Sequence, residues 1–153
     1  MVKVFDPTRA EYNKDRKTRT NCYLCDEDII KKQDCTKFVF THWLVLTNKH
    51  PYMNGNVMII PKQHKTAISK LSVDEWQEFP NVLSAVQKEL KEMFQTDSFN
   101  IGINEGPDSG ASIDHLHWQI IPRHRKNHTA VSVLADIQVI TLSSDELIKL
   151  LSE

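Results

Sequence analysis

The chain has 153 residues, 40% apolar and 25% charged, close to an ordinary globular domain and unlike a disordered or fibrous one. At that length one core can bury roughly two thirds of the unfolded surface without disulfides. Lys plus Arg number 19 against 20 Asp plus Glu, a net charge of −1, so no basic excess points to nucleic acid as a partner, and no apolar run approaches a membrane span.

Residues 1–21 are polar and carry charges where a secretory signal needs an unbroken apolar stretch, so they are expected to form a lead-in without chemistry, in a cytoplasmic protein. Residues 22–153 are expected to form a single domain. Three cysteines are an odd number, and thiols in a reducing compartment stay free unless a metal or catalysis claims them. Cys22 and Cys25, spaced C-x-x-C, could be free thiols, a redox pair or metal ligands; Cys35 reads as a small, semi-buried residue.

From Lys37 the runs KFVF and WLVLT are β-prone, and after the turn-like NKHPYMNG comes NVMIIP, apolar between Gly55 and Pro61. Ser72 and Glu75 form a capping box, predicting a helix start. Trp76, Phe79, Leu83, Val86, Leu90 and Met93 recur at steps of three and four, predicting an amphipathic helix to about Phe94, bent at Pro80. Phe99 to Asn104 and Ile113 to Pro122 read as two further strands, joined by a loop whose Gly106 and Gly110 tolerate positive φ near a phosphate. Ser143 and Glu146 open a short C-terminal helix containing Leu147 and Leu151. Strand runs on both sides of one long helix predict an α+β domain with an antiparallel sheet.

Most informative is Asp114-His115-Leu116-His117-Trp118-Gln119-Ile120-Ile121-Pro122-Arg123. On a strand, His115, His117 and Gln119 would share one face and Leu116, Trp118 and Ile120 the other. Such a segment is either a half-exposed strand with polar residues facing water or a strand that turns chemistry toward a pocket. His50, His124 and His128 also lie in polar stretches that could meet phosphates.

His-Leu-His-Trp-Gln, together with the upstream Asn100 to Gly106 and Ser109-Gly110-Ala111-Ser112, resembles the His-x-His-x-His pattern of the histidine triad superfamily. Gly55 to His64, GNVMIIPKQH, is similar to the same family's G-x-φ-φ-φ-P-K-x-H stretch. The likeness spans about Cys22 to Ile140. It implies a five-stranded antiparallel sheet crossed by a long helix, with a short C-terminal helix and pairing into a homodimer. By the same resemblance His117 is the nucleophile that becomes nucleotidylated, which suits a neutral imidazole near pH 7. Asn104 and Ser112 would contact phosphate, with Gly110 in the loop that offers backbone N–H groups. Asn48 falls where the family places a ribose-contacting acid, and also reads as a turn residue before Pro51.

Three positions depart from the pattern. Gln119 stands for the third histidine, as in the transferase branch that includes galactose-1-phosphate uridylyltransferases and some dinucleoside polyphosphate phosphorylases. Glutamine can hydrogen-bond a phosphate oxygen but supplies no acid. Ala111 replaces a common Gln and Asn56 a common His. The surrounding motifs look most like the branch acting on diadenosine polyphosphates, so the resemblance implies a nucleotidyl hydrolase or transferase, with water or inorganic phosphate as acceptor. Phosphoramidate hydrolysis is another family activity, and a non-catalytic nucleotide-binding or sensing module is the competing class. Relatives hold structural Zn²⁺ with residues that map onto Cys22, Cys25, His64 and His115, a closed Cys₂His₂ set.

Overall fold

The computed structural model describes residues 21–106, 108–123 and 141–152. The polar lead-in, the run Ala135 to Ile140, His124 and His128 fall outside the described residues apart from Asn21. In chain order the elements are a short 3-10 turn (Tyr23–Cys25), α1 (Glu27–Gln33), β1 (Trp43–Thr47), β2 (Val57–Pro61), a second 3-10 turn (Ile68–Lys70), α2 (Val73–Phe94), β3 (Phe99–Ile103), β4 (Trp118–Pro122) and α3 (Ser144–Leu150).

The four strands form one sheet in the order β1-β2-β4-β3, with each neighbouring pair antiparallel. The α+β class follows as expected, but among the described residues the sheet has four strands rather than five. Lys37 to Phe40, read as β-prone, is irregular. Phe38 and Phe40 pack against the core from a connecting segment, so their apolar character reflects burial rather than strand pairing. The strand expected from Ile113 begins only at Trp118, so His115 and His117 lie in irregular chain leading into β4.

The long helix forms because its sequence satisfies its own start and one apolar stripe. Ser72 Oγ accepts from the Glu75 backbone N–H at 3.2 Å and the Glu75 carboxylate accepts from the Ser72 N–H at 2.6 Å, completing the capping box. Phe79, Val82, Val86 and Leu90 are buried, with Leu83 and Met93 partly buried against the same core. The buried face is thus rotated slightly from the predicted one, leaving Trp76 41% exposed while its ring meets Trp118 edge-on at 6.3 Å. Pro80 lies inside a continuous helix. It removes the N–H that would have reached the Trp76 carbonyl, a local loss that burial of the flanking stripe outweighs.

α2 crosses one face of the sheet. There Trp43, Phe79 and Trp118 meet with ring centroids 4.7–5.5 Å apart, and the Trp43 indole N–H donates to the Glu75 carbonyl at 3.0 Å. Burying each such ring stabilises the fold by on the order of 2–3 kcal/mol. The opposite face of β1 and β2 carries Leu46, Met58 and Ile60, covered by Leu24 and Ile30 of the N-terminal segment. All five residues of β2 are buried because it is covered on both faces. That second layer leaves a gap beside Met58 and Gln119, where the functional groups collect.

Candidate active site and metal cluster

The β2–β4 register sets the geometry. Met58 pairs with Gln119 and Val57 with Ile120, so Asn56, one residue before β2, meets Gln119 from the adjoining strand. Gly55 makes the preceding turn at φ +78°, and a Cβ there would stand 2.5 Å from the Phe94 ring and 2.7 Å from Pro122, so the chain passes where only glycine fits.

A cavity of about 190 Å³ opens at this point. Asn48, Asn104, Gly110, Ser112, His117 and Gln119, each singled out in the sequence, all line it. Gly106 and Gly110 take φ of +90° and +86°, the backbone freedom that lets the loop fold over the opening. Tyr23, Gln33 and Lys49 also line the cavity, though no sequence pattern pointed to them; they reach it through α1 packing and the β1–β2 turn. Trp118 and Ile120 turn to the α2 side, so alternation along β4 does separate core from cavity.

His117 is only 6% exposed, and its Nδ1 lies 2.8 Å from the carbonyl oxygen of His115. A carbonyl only accepts, so Nδ1 carries the proton and donates, leaving the lone pair on Nε2. Beside it the Gln119 Oε1 accepts from Asn56 Nδ2 at 2.9 Å and from Asn48 Nδ2 at 3.2 Å. Asn48 in turn accepts from the His50 N–H at 3.0 Å, a turn contact, so this side chain serves the turn and the cavity together.

His115 does not share the cavity. Its ring turns the other way, 1% exposed, with Nε2 donating to the Pro61 carbonyl at 2.9 Å. Nδ1 is therefore the unprotonated nitrogen, and it faces Cys25 Sγ at 3.5 Å and Cys22 Sγ at 3.8 Å. His64 Nδ1 stands 3.4 Å from Cys25 Sγ. The ligand atoms of Cys22, Cys25, His64 and His115 all lie within 4.8 Å of one another. Four donors on a tetrahedron at zinc–sulfur and zinc–nitrogen bond lengths stand roughly 3.3–3.8 Å apart, so this donor set fits a closed metal site. Burial pushes the Cys22 thiol up to about 11, with Cys25 beside it adding to the rise, and burial likewise holds His115 below the usual imidazole range. Cys35, fully buried and raised to about 12 by burial, stands apart as a core residue.

The fold is an antiparallel sheet crossed by one helix, with a tautomer-fixed histidine at a polar cavity and a Cys₂His₂ cluster behind it. The HIT domain family matches residues 31–126, and the chain belongs to that family. It is 33% identical over 101 residues to a bis(5'-adenosyl)-triphosphatase of Saccharomyces cerevisiae, a match covering 65% of this chain and 48% of that protein. It is 31% identical over 78 residues to an asymmetrical bis(5'-nucleosyl)-tetraphosphatase of Schizosaccharomyces pombe, covering 51% of this chain and 43% of that one. The chain thus spans about half the length of the curated relatives it matches. A Zn-bound histidine triad family protein from Mycobacterium smegmatis shares the fold, with a TM-score of 0.66 at 18% identity over 86% of this chain and 91% of that one. Among the described residues no helix is long and apolar enough to cross a membrane.

Proposed function

We propose that this protein is a nucleotide hydrolase or nucleotidyltransferase that acts on dinucleoside polyphosphates or related adenine nucleotides through a nucleotidyl-His117 intermediate. The observation that carries it is the 2.8 Å contact of His117 Nδ1 with the His115 carbonyl at the wall of a polar cavity, which leaves Nε2 as the nucleophilic nitrogen. Nε2 attacks the α-phosphorus; a P–N bond forms as the P–O bond to the leaving nucleotide breaks, its electron pair staying on oxygen. An oxygen of water or inorganic phosphate then attacks, the P–N pair returns to the imidazole and the acceptor's proton passes to solvent. Asn104, Ser112 and the Gly110 loop hold the phosphate, and Asn48 reaches the ribose.

Gln119 supplies no proton, so the leaving group is one that departs as an anion, as a nucleoside phosphate does. The absence of an acid at this position favours inorganic phosphate over water as the acceptor. The names of the two yeast relatives support the dinucleoside polyphosphate class.

Cys22, Cys25, His64 and His115 would hold Zn²⁺, whose contribution is a structural cross-link between the N-terminal segment and the chain entering β4. The protein is read as a cytoplasmic homodimer without nucleic-acid or membrane partners.

The test is turnover of diadenosine tri- and tetraphosphate with and without inorganic phosphate, products separated by ion exchange. ADP release that requires phosphate identifies a phosphorylase, and AMP without it a hydrolase. Binding with no product from either substrate replaces the enzymatic reading with a nucleotide-sensing module.

A further inference from the structure

Gln119 at the cavity wall is paired with the Asn56 amide behind it, and the orientations of both follow from which partner groups can donate and which can accept. Asn56 is fully buried. Its Oδ1 accepts from the Tyr52 backbone N–H at 3.1 Å and from Asn48 Nδ2 at 3.1 Å, while its Nδ2 faces the Val57 carbonyl at 3.2 Å and the Ile120 carbonyl at 3.4 Å. A backbone N–H demands an acceptor and backbone carbonyls demand a donor, so the Asn56 amide has one permitted orientation. The atom of Gln119 that meets Asn56 Nδ2 at 2.9 Å must therefore be its oxygen, which Asn48 Nδ2 also reaches at 3.2 Å. Gln119 Nε2 is left with both N–H donors and, among the described residues, no protein acceptor in hydrogen-bond reach.

We infer that Asn56 is a positioning residue that locks the Gln119 amide with its two N–H donors toward the phosphoryl group beside His117. This rests on the reading of the cavity as a nucleotidyl-transfer site. An unlocked glutamine would present its oxygen to an anionic phosphate in part of the population; the locked one presents donors in all of it, ahead of the charge that develops on the phosphoryl oxygens. The shorter of the two bonds that fix the Gln119 oxygen, 2.9 Å against 3.2 Å from Asn48, thus comes from a residue that does not itself line the cavity.

The test is a double-mutant cycle on diadenosine triphosphate turnover, with Asn56→Asp, Gln119→Ala and the pair. Asn56→Asp keeps an acceptor for the Tyr52 N–H and removes the donor to Gln119. The expected result is a kcat about 100-fold lower with KM within about 3-fold, and, in the Gln119→Ala background, a further change in kcat below about 3-fold because no amide remains to be oriented. Multiplicative losses overturn the inference. Should Asn56→Asp fail to fold, Asn56→Ala takes its place in the same cycle: a kcat loss that disappears in the Gln119→Ala background supports the inference, and a loss that persists there overturns it. If the wild-type protein turns over no nucleotide, the functional reading fails separately. The positioning role is then read from the Gln119 side-chain amide in ¹⁵N-labelled protein, which Asn56→Asp shifts more than other glutamine amides; an unmoved amide overturns it.

Discussion

His115 and His117 sit two residues apart in the same irregular segment, yet their rings are held with opposite polarity. His115 donates from Nε2 to Pro61 and turns Nδ1 toward two thiols, whereas His117 donates from Nδ1 to His115 and leaves Nε2 for the cavity. Identical side chains acquire different chemistry from which nitrogen the backbone claims. The His115 side is a closed set of soft ligands suited to a structural metal; the His117 side is an open, oxygen- and amide-lined cavity suited to phosphate. The His115 carbonyl joins them, since the ring on one side is anchored to the backbone that orients the other.

The sharpest way to separate the two histidines is substitution. Under the proposed reaction, His117→Ala should lower turnover by about 10⁴-fold or more while leaving the thermal midpoint within a few degrees. His115→Ala should do the reverse, lowering the midpoint first and turnover through the displaced carbonyl. Paired kinetic and calorimetric measurements check both, and equal effects from the two variants would break the comparison.

Next in size is metal removal. A chelator, or Cys25→Ser, should lower the melting temperature by about 10 °C or more, because binding energy at a closed site is folding energy. Readdition of Zn²⁺ should restore the chelated protein, followed by metal analysis and calorimetry. Purified protein that contains no zinc by metal analysis, and whose midpoint neither chelator nor added Zn²⁺ moves, means that the four donors hold no ion.

Gly55→Ala should perturb the cavity side and spare the cysteine cluster. A Cβ at φ +78°, 2.5 Å from the Phe94 ring, costs about 2 kcal/mol, roughly 5 °C in melting temperature. It should also weaken turnover by shifting Asn56, with metal content unchanged.

The smallest effect belongs to Glu75, which is part of neither the cavity lining nor the cysteine cluster. Burial by itself would raise its carboxyl, but the Ser72 N–H and hydroxyl, with Lys65 at 3.6 Å, hold it below the ordinary carboxylate range. A depressed folded value means its stabilisation is complete above the ordinary carboxylate pKa near ~4.3 and is lost as pH falls through the folded value. Wild type and Glu75→Gln, which keeps the cap, should differ by less than about 1 kcal/mol at pH 7 and converge in acid, measured as melting temperature against pH.

Periodic and capped segments were legible because their signals are local. The stripe from Phe79 to Leu90 and the boxes at Ser72 and Ser143 require only neighbouring residues, and both helices start where those boxes lie. Lys37 to Phe40 misled because apolar residues look alike whether they pair in a sheet or plug a core from a loop. The histidine motif was legible as a pattern but not as a strand, since the segment before Trp118 is shaped by Lys65 and Pro61, which lie far upstream, through the 2.7 Å Leu116 N–H to Lys65 carbonyl bond and the 2.9 Å His115 contact.

By itself the sequence determined the α+β class, the long helix and the family, and it singled out residues that the fold gathers at the cavity and at the cysteine cluster, because residue type and short spacing carry those. Only the tertiary structure decided which backbone carbonyl holds each imidazole, that Asn56 meets Gln119, and that Tyr23, Gln33 and Lys49 join the wall. Those are consequences of strand register and of which backbone group lies within hydrogen-bond reach, and register brings together residues that no local spacing relates.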